Sequence, residues 1–363
     1  MRTVAVNLGP RSYRIKISAG LLEDLGKESR LAVGAGAKKA IVVSNHTVDS
    51  IYGETVVKSL GRAGFEINRF AIGDGERFKS LRTAESILTF LIEQRLERND
   101  IVVALGGGVV GDLAGFVAAT YLRGIRFVQV PTTLLAQIDS SVGGKTGVNH
   151  SLGKNLIGAF HQPSLVIIDP TTLTTLPPRQ IQAGLYEAIK YGIISDGKLF
   201  DNIARHIDEL KGLNDSRMER LIAACCRIKA DVVKSDELET DRRRILNFGH
   251  TVGHALEAVT GYRRFLHGEA VGIGMRAASR IAESIGLLKP ADRETLERGI
   301  SAVGRLPNAN TLALDDIISA MFHDKKVESG RIAFVLPVEI GRVVIRTDVP
   351  PTVVKAALRD TLA

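Results

Sequence analysis

The chain has 363 residues, 45% of them hydrophobic and 24% charged, which is enough for one large or two ordinary domains with real cores. A net charge of +8 suits an anionic ligand, whereas 5% aromatic residues, no tryptophan and scattered basic residues argue against a stacking platform or module for nucleic acid. The only cysteines, Cys225 and Cys226, are adjacent, which excludes a disulfide framework and a CxxC knuckle, and no run approaches ~18 apolar residues; a reducing, cytoplasmic setting without a membrane span is expected.

The N-terminal "MRTVAVNLGPRSYRIKIS" alternates apolar and polar residues like a β-hairpin. "KKAIVVSN" then reads as a strand and "SIYGETVVKSLGRAG" as a helix. They are followed by the strand "EINRFAI", a helix over 83–94, the strand "DIVVALGGG", the helix "VVGDLAGFVAATYLRG" and the strand "RFVQVPTT". Strands that are nearly all apolar, alternating with helices, predict a parallel α/β sheet. The stretch "QIDSSVGGKTGVNHSLGKN", 137–155, reads as a glycine-rich loop. Pro177 and Pro178 mark a boundary, after which helical periodicity dominates through "QIQAGLYEAIKYGII", "RMERLIAACCRIKADVV", "TVGHALEAV", "GEAVGIGMRAASRIAESIG" and "LDDIISAMF". Only "GRIAFVLPVEIGRVVIRTDV" looks like a second hairpin. The expectation is a Rossmann-like α/β domain over 1–178 and a mainly α-helical domain over 179–363, with the active site in the cleft between them.

Three stretches carry chemistry. "GGGVVG" at 106–111 fits G-x-G-x-x-G between a strand and a helix, where free N–H groups can meet a pyrophosphate. No acid closes the next strand, so a dinucleotide would be held in an atypical way, with "GDGERFKS" and the pair Thr132 and Thr133 supplying further polar groups. Lys145 and Lys154 in the glycine-rich stretch suit a phosphate, although the spacing is not that of an NTPase loop. "NFGHTVGHALE" puts His250 and His254 about one helical turn apart, and "RFLHGEAVG" adds His267. Glu187 stands inside the otherwise apolar "GLYEAIKYG", where a carboxylate needs a partner. Two imidazoles and a carboxylate make a Zn²⁺-type site with positions open to substrate. Spacing alone favours His250 with His254 and leaves the choice of pair open.

Taken together, "DGERFKS", "ALGGGVVGDLAGFVAATYLRG", "VPTTLLAQIDSSVGGKTGVNHSLGKNLIGAFHQP", "LPPRQIQAGLYEAIKYGII", "RRRILNFGHTVGHALE" and "HGEAVGIGM" resemble the 3-dehydroquinate synthase family of the shikimate pathway over almost the whole chain. The resemblance implies metal ligands at Glu187, His250 and His267, for Zn²⁺ or Co²⁺, and a substrate-side role for His254. It implies NAD contacts at Asp74, Glu76, Lys79, Gly108, Val109, Val110, Gly111, Asp112, Thr132, Thr133, Lys145, Lys154, Thr172, Leu173, Thr174 and Thr175. Substrate-pocket positions fall on Arg123, Asp139, Lys145, Asn155, Lys190, Lys229, Arg243, Asn247, His254 and Lys325. The arginine of "YLRG" is typically offered to a neighbouring subunit, which implies a homodimer.

The implied reaction oxidises a ring hydroxyl of a heptulosonate phosphate with NAD⁺, eliminates phosphate, reduces the product, opens the ring and closes it again by an aldol step. That substrate carries a carboxylate and a phosphate, and the lysine- and arginine-rich set agrees with it. Competing readings are a cyclase of a hexose phosphate such as 2-deoxy-scyllo-inosose synthase, a metal-dependent polyol dehydrogenase, and a non-enzymic basic binding protein.

Overall fold

A computed structural model describes residues 1–322, 327–328 and 331–363; Lys325 lies outside the described residues. Two compact units are formed, one from Met1–Leu176 with Asp215–Leu238 and one from Pro177–Asn214 with Glu239–Ala363. The first break falls at the expected proline pair.

In the first unit, strands β1 (Arg2–Val6), β2 (Tyr13–Ile17), β3 (Lys39–Asn45), β4 (Glu66–Ile72), β5 (Ile101–Gly106), β6 (Arg126–Pro131) and β9 (Leu165–Ile168) make a seven-stranded sheet in the order β1-β2-β9-β6-β5-β3-β4. Every pairing is parallel except β1 with β2, the expected N-terminal hairpin. All six residues of β5 are buried, as a central parallel strand with both faces covered requires.

Alternate residues serve two separate cores. Ile41, Val43, Val102 and Ala104 pack with Ile87 and Leu91 of α3 (Leu81–Glu93) and Leu113 and Val117 of α4 (Gly108–Thr120). Ala40, Val42, Ile101, Val103 and Leu105 pack with Leu25 and Val33 of α1 (Leu25–Val33) and Val56 and Leu60 of α2 (His46–Arg62). The period of two along each strand thus dictates helices on both faces.

The stretch expected as one glycine-rich loop is different. Ala136–Ser140 is helical, and β7 (Lys145–His150) and β8 (Gly153–Phe160) form an antiparallel hairpin in which Gly147 opposes Gly158. A Cβ at Gly158 would lie 2.2 Å from the Thr146 carbonyl, and one at Gly147 would lie 2.6 Å from that of Ile157. These glycines let two strands approach closely, and the lack of side chains erases the alternation by which a strand is recognised.

The second unit begins with α5 (Pro178–Ser195), with proline at its first position, followed by α6 (Gly197–Arg205) and α7 (Ile207–Lys211). Helix α8 (Asp215–Ser235) belongs instead to the first unit, although its number lies within the span expected to be the second domain. Its Lys229 donates to the Asp139 carbonyl at 2.8 Å, Cys226 Sγ–H donates to the Gln137 carbonyl at 3.3 Å, and Arg11 of the N-terminal hairpin pairs with Glu237 just beyond the helix at 2.7 Å. Burial pushes the Cys226 thiol up to about 12, which makes it packing rather than a nucleophile.

The second unit continues with α9 (His250–Val259), α10 (His267–Ser284), α11 (Pro290–Val303), α12 (Leu314–Phe322), two short strands β10 (Val327–Glu328) and β11 (Arg331–Ile332), the hairpin β12 (Phe334–Glu339) and β13 (Arg342–Arg346), and α13 (Pro351–Leu362).

Glycines draw α5, α9 and α10 together. A Cβ on Gly268 would stand 1.9 Å from the Ala183 carbonyl, and one on Gly274 would stand 1.9 Å from the Gly249 carbonyl. Both obstacles are backbone, so Gly274→Ala must push α10 away from the start of α9. A loss of about 1–3 kcal/mol and a lower unfolding midpoint are expected, read by denaturant titration. Gly61→Ala in α2 is the control, because its Cβ meets nothing nearer than 3.6 Å and alanine favours a helix. Equal midpoints for the two variants would contradict the close crossing.

Candidate metal and dinucleotide site

Glu187 sits near the middle of α5 and is fully buried. Its Oε1 lies 3.8 Å from His250 Nε2, at the first position of α9, and 3.7 Å from His267 Nε2, at the first position of α10. The Lys190 ammonium, one turn further along α5 and equally buried, pairs with Oε2. Neither Glu187 oxygen accepts a hydrogen bond of good geometry. Burying an ionised carboxylate costs several kcal/mol, which the Lys190 ammonium offsets at Oε2, leaving Oε1 to face the two histidines.

The tautomers of both histidines follow from their second nitrogens. His250 Nδ1–H donates to the Phe248 carbonyl at 3.1 Å, and His267 Nδ1–H donates to Glu257 Oε2 at 3.1 Å. Each ring therefore turns a lone pair on Nε2 toward Glu187. Atoms bound at ~2.0–2.2 Å to one tetrahedral ion stand roughly 3.3–3.6 Å apart, so this donor set fits a divalent metal without large movement. Burial opposes protonation of His267 most strongly, yet the Glu257 hydrogen bond and charge and the Glu187 charge outweigh it and leave its pKa raised.

His254 is in the same cluster but not in that trio. Its ring centroid is 5.3 Å from that of His250 and 5.9 Å from that of His267, and it groups with Glu257 and His267. The favoured spacing pair, His250 with His254, therefore shares a helix face without converging on Glu187. Arg243 (fully buried) and Asn247, which donates to Glu239 at 3.2 Å, come from the short helix Arg242–Asn247 just before α9. Glu257 was not picked out from the sequence; the signal was an acid three residues after His254 in an apolar helix.

The other group lies in the first unit, at the ends of the parallel strands. Gly108 to Asp112, including Val109, Val110 and Gly111, form the first turn of α4. A Cβ on Gly107 would touch the Thr133 side chain at 3.0 Å, and one on Gly111 would meet the end of the Gln129 side chain at 2.6 Å, so side chains at either position would have to displace these neighbours. The Thr132 hydroxyl is buried and has no hydrogen-bond partner, an opening suited to a bound ligand.

Lys79 joins Asp112, at 2.6 Å, to the Asn155 side chain. Burial raises the Asp112 pKa against the opposing pull of Lys79. Asp74 accepts from Thr47 Oγ1 at 3.0 Å and from Asn45, while Glu76 accepts from Asn149 at 2.7 Å and pairs with Lys154 at 3.8 Å.

Thr172, Leu173, Thr174 and Thr175 form the helical turn Pro170–Thr175, with the Thr175 and Tyr52 hydroxyls 2.8 Å apart. Lys145 opens β7, Asp139 and Lys229 pair with each other, and Arg123 is exposed in a left-handed conformation with φ 65°.

Two family models match in tandem, 3-dehydroquinate synthase N-terminal over 69–183 and 3-dehydroquinate synthase C-terminal over 184–327. A 3-dehydroquinate synthase of Desulforamulus reducens is 48% identical over 361 residues, covering 99% of both chains. Among solved structures, a 2-deoxy-scyllo-inosose synthase complexed with carbaglucose-6-phosphate, NAD⁺ and Co²⁺ aligns with a TM-score of 0.89 at 26% identity, covering 99% of this chain and 100% of that one. A 2-epi-5-epi-valiolone synthase from Streptomyces hygroscopicus with NAD⁺ and Zn²⁺ bound aligns at 0.88 and 30% identity, covering 99% of each. The sequence match over nearly the full length of both chains means that the chain belongs to the 3-dehydroquinate synthase family.

Proposed function

We propose that this chain converts 3-deoxy-D-arabino-heptulosonate 7-phosphate into 3-dehydroquinate and phosphate, using NAD and one divalent ion, Zn²⁺ or Co²⁺, held by Glu187, His250 and His267. The observation that carries the reading is the convergence of those three side chains on one buried point, in a chain whose near-full-length relatives bear that name. When bound, NAD⁺ takes up and returns a hydride while the ion polarises the hydroxyl and orients its neighbour.

The chain's own residues bind and orient. Asp74, Glu76, Lys79, Gly108 to Asp112, Thr132, Thr133, Lys145, Lys154 and Thr172 to Thr175 would hold the dinucleotide, and the N-terminal N–H groups of α4 would suit its pyrophosphate. Lys145, Asn155 and His254 take the phosphate, Arg243 with Lys229 and Lys325 takes the carboxylate, and Arg123, Lys190 and Asn247 complete the substrate pocket; Asp139 orients Lys229. Oxidation acidifies the adjacent C–H, so the substrate's own phosphate is a sufficient base and no side chain is assigned that part.

Arg123 is exposed, next to the exposed Leu122, as a homodimer that shares Arg123 between subunits requires. Cys225 and Cys226, buried and in no disulfide, suit a reducing cytoplasm.

The test follows NADH absorbance and inorganic phosphate together, with substrate in large excess over NAD⁺. Phosphate is expected to exceed the NAD⁺ supplied many-fold while little NADH accumulates. NADH rising in step with substrate, with phosphate still on carbon, would make the protein a dehydrogenase. Turnover of a hexose 6-phosphate in place of the heptulosonate would favour the activity of the 2-deoxy-scyllo-inosose type.

A further inference from the structure

The two histidines facing Glu187 are held from behind in unlike ways. The partner of His250 is a neutral carbonyl, that of Phe248, whereas the partner of His267 is the carboxylate of Glu257. Glu257 is buried on α9 and reaches across to the first residue of α10. We propose that Glu257 is a positioning residue for the metal centre, holding the proton on His267 Nδ1 so that Nε2 stays a ligand, and adding the negative charge that a divalent ion needs there. The proposal rests on the metal-site reading above.

Charge accounts for the need. Glu187 carries one negative charge, but Lys190 is buried beside it and cancels most of that at a distance. Two neutral imidazoles add nothing, so the trio alone would leave a doubly charged ion poorly compensated in a water-poor interior. Glu257 supplies a second anion one imidazole away, and a carboxylate on the far nitrogen also makes the ring a stronger donor.

Direct ligation by Glu257, in the alternative trio with His254 and His267, fits less well. Its Oε2 already accepts the His267 Nδ1–H at 3.1 Å, so binding an ion there would cost that hydrogen bond, whereas the Glu187 oxygen faces the Nε2 atoms of both His250 and His267.

The experiment measures Zn²⁺ and Co²⁺ affinity of the full chain by competition with a chelating dye, the number of ions bound, and the visible spectrum of the Co²⁺ form. Glu257→Ala is expected to weaken binding about 10- to 100-fold, with one ion still bound. Glu257→Gln, isosteric and still an acceptor for Nδ1–H, should fall between wild type and alanine, with an altered Co²⁺ spectrum. NAD⁺ affinity should be unchanged in both, since Glu257 is not among the residues assigned to the dinucleotide.

Wild-type affinity in both variants would overturn the proposal, as would a second ion in wild type that disappears with Glu257. If the alanine variant fails to fold, the glutamine variant decides alone: unchanged affinity and spectrum overturn it. A wild-type chain that takes up no metal would remove the metal-site reading itself, an outcome distinct from equal binding by wild type and variants.

Discussion

His267→Ala is expected to lose the bound divalent metal and, with it, roughly a thousandfold or more in turnover, since a Lewis acid supplies several kcal/mol and each 1.4 kcal/mol is tenfold. Treatment with a chelator should do the same to the unaltered protein, and Zn²⁺ or Co²⁺ should restore it. His254→Ala is expected to keep its metal and still lose activity, because its ring stands beside the trio rather than at the convergence on Glu187. Metal content by elemental analysis and turnover of the same samples separate the two. Full activity in a metal-free sample would sink the assignment, and metal lost from His254→Ala but not from His267→Ala would mean that the helix pair of histidines binds instead.

Arg243→Met should cripple substrate recognition while leaving the dinucleotide untouched. Arg243 is the largest fully buried side chain among the described residues, and a guanidinium is taken so far from water only for a strong anionic partner or a structural one. Stranding a substrate carboxylate without its bidentate partner costs about 2–5 kcal/mol, or roughly 30- to several-thousand-fold in kcat/KM. Methionine keeps most of the volume, so a loss of folding can be told apart from a loss of recognition by comparing unfolding midpoints. NAD⁺ affinity, measured by fluorescence quenching or calorimetry, should stay within about twofold, because Arg243 is not among the residues assigned to the dinucleotide. Unaltered kinetics with the heptulosonate phosphate would remove the carboxylate clamp and revive a hexose phosphate as substrate.

The architecture of the first unit was legible because its signals are local. Buried parallel strands such as Ile101–Gly106 are continuous apolar runs, the helices between them repeat at 3.6 residues, and Pro177 with Pro178 punctuates the chain where the first unit breaks off. The glycine-rich turn at Gly106 to Gly111 and an acid inside the apolar helix around Glu187 were visible for the same reason, since each breaks a local pattern. The order and length of the motifs carried the family resemblance without any knowledge of contacts.

What the chain does across long separations was decided only on folding. The spacing of His250 and His254 left the choice of ligand pair open, because a shared helix face does not say what lies opposite it. Packing of α5, α9 and α10, with glycines bare enough for backbone to touch backbone, is what sets Glu187 against His250 and His267 and brings Glu257 behind His267. The hairpin of β7 and β8 was hidden because Gly147 and Gly158 have no side chains to alternate. Helix α8 carries the same amphipathic pattern as its neighbours in the chain, and periodicity names a buried face but never the surface that buries it. Its place with the first unit follows from contacts of Lys229, Cys226 and Glu237 with residues some 75 to 226 positions away, which no local pattern contains.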